Sequence, residues 1–363
     1  MKILHTADLH LGSPLSARMT RERARERGGE LLGTLARLIG EARRVGAKII
    51  IIAGDLFDVK YPPKGISEAV RGVIGEAKDI AFFICEGNHD EGTLELTGIG
   101  GLTNVYSFGK DWSYYSVGDG ITVGGCSAAG RGVLGKCSFD EGKINIAVLH
   151  GDLRERGSGE WDIDAREAVG RGIDYIALGH YHSYRHARLD RRTAAVYCGT
   201  PEGRGFDECG EKGYVLIEIE GGAVTHGFVP FAKRRLTAVR LPLDGICGTA
   251  DLMERARLAL RDVPREDMVR LELCGSYEPG LGRDIPSMEA VLSEGRYYLE
   301  VTDSSAPAIN TEALLADRSV KGELARAVMG DGKLDGRLKR EVIACALAAL
   351  CGEDYDGPSS EAL

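Results

Sequence analysis

No apolar stretch of this chain approaches the ~20 residues that a membrane-spanning helix needs, so no spanning segment is expected. The opening "MKILHTADLH" is too short in its apolar part for a secretory leader and runs into charges, which points to a cytoplasmic location. There are nine cysteines, an odd number, and none form a CxxC pair. This excludes a thiolate zinc ribbon or a dithiol redox motif. Cys85, Cys126 and Cys274 lie inside apolar runs and read as buried reduced thiols. Positive charge is not in excess either: 46 Lys and Arg against 55 Asp and Glu give a net charge of −9. That weighs against a purely electrostatic nucleic-acid binder, although a formal sum ignores bound cations and local basic patches. Internal repeats and low-complexity tracts are also missing.

What remains is an ordinary globular composition, 43% apolar and 28% charged, over 363 residues, enough for two domains. Glycine is abundant, at 50 residues, so tight turns are expected.

Five strand-length apolar runs organise the first 231 residues: "KILHTA" from Lys2, "KIIIIA" from Lys48, "IAFFICE" from Ile80, "INIAVLH" from Ile144 and "IDYIALG" from Ile173. Their near-continuous apolar character suggests strands covered on both faces. Between them, Leu31, Leu35, Leu38, Ile39 and Ala42 share one helical face, and a second helix is expected over 66–78. Further strand patterns at "ITVGGCS", "AAVYC", "GYVLIEI" and "AVTHGFV" make the domain a mixture of parallel and hairpin strands, an α/β arrangement. Residues 236–303 alternate strand, helix, strand, helix, strand, the pattern of a small α+β domain. "DSSAPAIN" reads as a linker. Two helices, about 311–329 and 333–351, occupy a C-terminal segment over 308–353.

The polar residues gather where the apolar runs stop. Asp8 and His10 form D-x-H after the first run, Asp55 and Asp58 form G-D-x-x-D after the second, and Asn88, His89 and Asp90 form G-N-H-D after the third. His150 ends the fourth, and His180 and His182 form G-H-x-H after the fifth. Five of the eight histidines are in these positions. In open α/β sheets, ligands bind beyond the carboxyl ends of the strands, because buried strands fix whatever lies just past them. A donor set of Asp, His and Asn without Cys suits borderline to hard divalent cations. It offers more ligands than one ion uses. Two ions ~3.5–4 Å apart sharing a carboxylate would use them all, an arrangement suited to phosphoryl chemistry. Each motif alone is weak, since Asn, Gly and Asp favour ordinary turns. Their joint occurrence in one order carries the reading.

That series of motifs resembles the calcineurin-like metallophosphoesterases over roughly residues 1–230. "HTADLHLG" and "GDLFD" look like the SbcD-type DNA repair exonucleases, and "GTPEGRGFDECGEKGYVLIEI" from Gly199 is similar to their YhaO-like bacterial branch. The resemblance implies a β-sandwich of mixed sheets flanked by helices over 1–231, a capping domain over 236–303, and C-terminal helices over 308–353 as a partner-docking segment. It implies one metal on Asp8, His10 and His182, another on Asn88, His150 and His180, and Asp55 bridging them. His89 would be the catalytic general acid or charge stabiliser, oriented by Asp58. Some eukaryotic and archaeal relatives have histidine where this chain has Asp58. The implied cofactors are two divalent ions, Mn²⁺ first, with Fe²⁺ or Zn²⁺ as alternatives. The implied substrate is DNA and the implied partner an SMC-like coiled-coil ABC-type ATPase, with homodimerisation left open. Hydrolysis of small phosphoesters, or a scaffold that mainly binds the ATPase, are the rival readings.

Other features are expected to be structural. His5 lies within a strand. "RMTRERARER" from Arg18 alternates charge like a solvated helix face, with a contact to DNA as the rival. "YRHARLDRR" around His186 fits either a solvated hairpin or a phosphate contact. "PEGRGF" reads as a turn. The stripe Leu338, Val342, Ala346 and Leu350 fits packing on its own domain or docking of a partner.

Overall fold

The computed structural model describes residues 1–15, 18–127, 130, 132–155, 159–278, 281–308 and 311–351. The chain divides into two compact units, Met1–Arg235 and Leu236–Leu363.

The isoleucine run explains the architecture of the first unit. Strand Ile49–Ala53 is buried along its whole length. Ile50 and Ile52 face one way, onto Leu35, Leu38, Ile39, Val70 and Ile74 of the helices Thr34–Val45 and Lys64–Glu76. Ile49 and Ile51 face the other way, onto Val123, Ile146, Val148 and Tyr175 of a second sheet. Period-two alternation thus puts a helix layer on one side and a sheet on the other, and both sides must be apolar.

The first sheet has the order Ala223–Pro230, Gly213–Glu220, Lys2–Thr6, Ile49–Ala53, Ala81–Cys85, Val105–Ser107. The last four are parallel, and the first two form a hairpin whose strand Gly213–Glu220 pairs antiparallel with Lys2–Thr6. The second sheet runs Arg185–Arg188, Ala194–Tyr197, Tyr175–Gly179, Ile144–His150, Ile121–Gly125, Ser113–Ser116, with its four middle strands parallel. Its far face is covered by Leu134, Ile163, Ala168 and Ile173. This is a sandwich of two mixed sheets with helices packed outside, the α/β class expected.

Local differences have local causes. The apolar stripe from Leu31 to Ala42 spans two helices, Arg21–Leu32 and Thr34–Val45, parted at Gly33. The helix expected over 311–329 is broken into Thr311–Ala316 and Val320–Gly330, because the Ser319 side chain caps the second by accepting from Lys321 N–H. The expected linker contains a short strand, Ala306–Pro307, paired in parallel with Ser276–Tyr277. Residues 309, 310, 352 and 353 of the predicted linker and C-terminal segment lie outside the described residues.

The second unit has a three-stranded parallel sheet in the order Leu236–Pro242, Met268–Cys274, Tyr298–Asp303. Helices Thr249–Ala259 and Ile285–Leu292 supply Leu252, Ala256, Met288 and Leu292 to its core.

Candidate active site

Five parallel strands from the two sheets end at one rim, and each delivers a polar residue there. Asp8 follows strand Lys2–Thr6, and Asp55 follows Ile49–Ala53. Asn88 and His89 follow Ala81–Cys85, His150 closes Ile144–His150, and His180 follows Tyr175–Gly179. The first two loops are tied together, with Asp8 N–H donating to Gly54 O (3.1 Å) and His10 N–H to Asp55 O (3.0 Å).

The approach is close enough to exclude side chains. A Cβ on Gly54 would strike the His150 ring, and one on Gly87 would strike the Asp55 carboxylate. Among the described residues, the non-glycine positions with positive φ are Asp8, His10, Asp55 and His180, all in this site. Such backbone costs of order 1–3 kcal/mol each and persists where the surroundings impose it, commonly at functional sites.

One carboxylate sits at the centre. Asp55 Oδ1 accepts from the His89 backbone N–H (3.0 Å), while Oδ2 lies 3.6 Å from His10 Nε2 and 3.4 Å from His150 Nε2. On one side, ligand atoms of Asp8, His10 and His182 all lie within 4.8 Å of one another. On the other, Asn88 Oδ1 is 2.9 Å from His150 Nε2 and 3.3 Å from His180 Nδ1. The seven residues named as candidate ligands are therefore brought together.

The proton positions show what the cluster suits. His150 donates Nδ1–H to Ala53 O (2.9 Å), since a carbonyl can only accept. Burial holds its pKa down to about 4, so the ring is neutral and Nε2 carries a lone pair. That lone pair faces Asn88 Oδ1 and Asp55 Oδ2, both acceptors. His10 Nδ1 lies 3.0 Å from Asp58 Oδ1, and His182 Nδ1 lies 2.7 Å from Glu208 Oε1. Both Nδ1 atoms turn to carboxylates, which leaves the Nε2 atoms facing each other 3.3 Å apart. Side-chain acceptors of Asp8, Asp55, Asn88 and His150 that converge in this way suit a site for cations, and the donor set fits divalent ones. Burial also pushes the Asp8 carboxyl up to about 7, a shift that an adjacent cation would reverse.

His89 is exposed at the rim, as is Asn88, and its ring centre lies 4.8 Å from that of His10. The expectation for Asp58 needs correction. His89 Nδ1 meets the backbone carbonyl of Asp58 (3.0 Å), not its carboxylate. The carboxylate is engaged by His10 and by Arg204 Nη1 (3.1 Å), and the His10 contact is the main reason its pKa is lowered.

Asp90, expected only as the end of a turn motif, is buried and clamps two motif loops. It accepts from Gly87 N–H (2.7 Å) and from Phe57 N–H (3.2 Å). Arg204 and Glu208 were not among the expected site residues, yet both touch it. Their one sequence signal is their place in the "GTPEGRGFDE" stretch. That stretch is more than the expected turn. Glu202 accepts from Arg27 (2.8 Å) and Arg37 (2.6 Å), and Arg27, expected on a solvated face, is 0% exposed. His5 is buried, with Nδ1 2.9 Å from the Tyr175 hydroxyl.

Similar sequences and folds occur among known proteins. The chain is 27% identical over 249 residues to a Bacillus subtilis protein named uncharacterized metallophosphoesterase YhaO, covering 63% of this chain and 60% of that one. It thus spans less than two thirds of that relative's length. Among solved structures it is similar to TT1561 of Thermus thermophilus, with TM-score 0.41 and 14% identity, covering 62% of this chain and 98% of the other. It is also similar to a dimetal phosphatase from Danio rerio, with TM-score 0.41 and 10% identity, covering 62% and 94%. Residues 1–184, half of the chain, match the family model of the calcineurin-like phosphoesterases, and the chain belongs to that family.

Proposed function

We propose that this chain is a two-cation phosphodiester hydrolase acting on DNA, the exonuclease subunit of a complex with an SMC-like coiled-coil ATPase. The observation that carries the hydrolase reading is Asp55 Oδ2, within 3.6 Å of His10 Nε2 on one side and 3.4 Å of His150 Nε2 on the other. In this reading Asp8, His10 and His182 hold one cation, Asn88, His150 and His180 hold the other, and Asp55 serves both. Manganese is the first choice, with iron(II) or zinc compatible with the same donors. When bound, the cations supply an activated water and neutralise charge growing on the phosphoryl oxygens.

The chain's own residues do the rest. Asp58 and Glu208 hold the His10 and His182 rings with Nε2 inward. The backbone carbonyl of Asp58 fixes the His89 proton on Nδ1, so Nε2 is the atom that gains or loses a proton. Standing at the rim, it protonates the departing 3′ oxygen or stabilises its charge. That oxygen is a poor leaving group, so this help matters more for DNA than for an activated aryl ester.

Two features support DNA and a partner. The second unit has an open cavity of about 620 Å³ lined by Arg257, Arg261, Arg265 and Arg296, with Glu294 the one acid among its lining residues. On a chain of net charge −9, such a concentration of guanidinium groups suits phosphates. Helix Gly336–Cys351 buries Ile343 and Ala344 but leaves Leu338 and Leu350 43% and 47% exposed, which favours a docking face.

Purified protein with Mn²⁺ is expected to degrade linear duplex DNA. Cleavage confined to small phosphoesters overturns the nuclease reading. Removal of residues from 308 onward is expected to abolish co-purification with the ATPase and spare hydrolysis of a small ester. Unchanged co-purification returns those helices to a structural role.

A further inference from the structure

We infer that Glu208 is a positioning residue for one cation subsite only, holding His182 in its ligating orientation as part of a yoke that also holds His10. The inference rests on the two-cation reading above.

The yoke is built from three side chains. Glu208 Oε1 accepts from His182 Nδ1 (2.7 Å) and from Arg204 Nη2 (2.6 Å) and Nε (3.1 Å). Arg204 Nη1 donates to Asp58 Oδ1 (3.1 Å), whose other contact is His10 Nδ1 (3.0 Å). One guanidinium therefore joins the two carboxylates that face the two histidines of the Asp8, His10 and His182 set. A planar fork can bridge two carboxylates where an ammonium point charge cannot. Burial opposes the charge on Glu208, but His182 and Arg204 outweigh it and hold its carboxyl well below the usual range.

The yoke is anchored from behind. Arg204 N–H donates to Glu208 Oε2 (2.7 Å), closing the turn on itself. Two residues earlier, buried Glu202 accepts from Arg27, Arg37 and the backbone N–H of Lys233 (2.7 Å) and Arg234 (3.2 Å), and Gly203 O accepts from Arg27 (2.7 Å). Side chains at this turn have little freedom to drift.

The other subsite is supported differently. His150 Nδ1 is held by a backbone carbonyl, Ala53 O, which no side-chain substitution removes. Loss of Glu208 should therefore be felt at one subsite and not at the other. Glu208 is also the clean residue to change. It contributes orientation and negative charge, which both favour a bound cation. Arg204 contributes orientation but a positive charge, so the two effects of its removal oppose each other.

The test is Mn²⁺ binding to the full chain, prepared metal-free, by calorimetry and electron paramagnetic resonance. The wild type is expected to bind two ions. Glu208→Gln keeps the size and an acceptor but loses the charge, and Glu208→Ala loses both. One ion is expected to weaken about 10-fold in the first and towards 100-fold in the second, the usual range for a residue behind a metal-binding histidine. The second ion keeps its affinity. His182→Ala should weaken the same ion, and adding Glu208→Gln to it should cost clearly less than the same change costs in the wild type. Equal weakening of both ions, or an additive loss in the double variant, overturns the inference by making Glu208 a general structural residue. No change in either ion overturns it too. A wild type that binds one ion or none sinks the two-cation reading itself, which separates the two failures. A metal-free thermal melt of Glu208→Gln matching the wild type confirms that the comparison is between folded proteins.

Discussion

Nε2 of His10 and Nε2 of His182 face each other at 3.3 Å, and each ring turns its Nδ1 to a carboxylate, Asp58 and Glu208 respectively. Two imidazoles so arranged repel unless a cation or a proton lies between them. The geometry ties together strand ends from both sheets, and four tests follow from this site and from other parts of the chain.

His89→Ala should leave metal binding intact while lowering turnover of DNA by about 10²- to 10⁴-fold, the range of a lost general acid. An activated aryl phosphodiester, whose leaving group needs no proton, should lose far less. Comparing kcat on the two substrates checks this. Equal losses on both would mean that His89 serves binding or structure.

Asp55→Asn should weaken both manganese ions together, because Oδ2 faces the His10 side and the His150 side alike. Titration of the metal-free variant checks this. A variant that keeps one ion at full affinity contradicts the shared carboxylate.

Acid stability should report Glu30. Burial alone would raise its pKa, but hydrogen bonds from Arg234, Lys233 and Arg27 outweigh it and bring it down from 4.5 to about 2. A lowered carboxylate stabilises the fold fully above its unfolded pKa, and the contribution is lost as pH falls through the folded one. The shift corresponds to about 3 kcal/mol lost from roughly pH 4.5 to 2. Denaturant unfolding of Glu30→Gln across that window should show a shallower pH dependence than the wild type. Identical slopes would mean that other carboxylates dominate.

Substitution of Arg257 and Arg265 by Ala should weaken duplex DNA binding and reduce its salt dependence by about one in log–log slope per lost phosphate contact. Hydrolysis of a small ester should not change. Unaltered DNA affinity at low salt would mean that the cavity does not bind DNA.

The strand ends were readable because each motif is local. Asp8 and His10, Asp55 and Asp58, and His180 and His182 lie two or three residues apart behind a buried run, so strand and loop are recognised together. Arg204 and Glu208 were not, since they belong to no strand-end motif and reach His182 from 22 and 26 residues away. Nor was the fate of Arg27. Alternating Arg and Glu look solvated, and the partners that bury Arg27 include Glu202, a carboxylate 175 residues distant, beside the local Glu30. The role of Asp58 shows the same limit. The pattern brings it close to His89 but does not say that the backbone carbonyl makes the contact while the carboxylate serves His10.

Anomalous diffraction at the manganese edge from crystals grown with Mn²⁺ tests the central claim most directly. Two peaks are predicted, one among Asp8, His10 and His182, the other among Asn88, His150 and His180, with Asp55 reaching both. A single peak, or peaks away from these side chains, contradicts it.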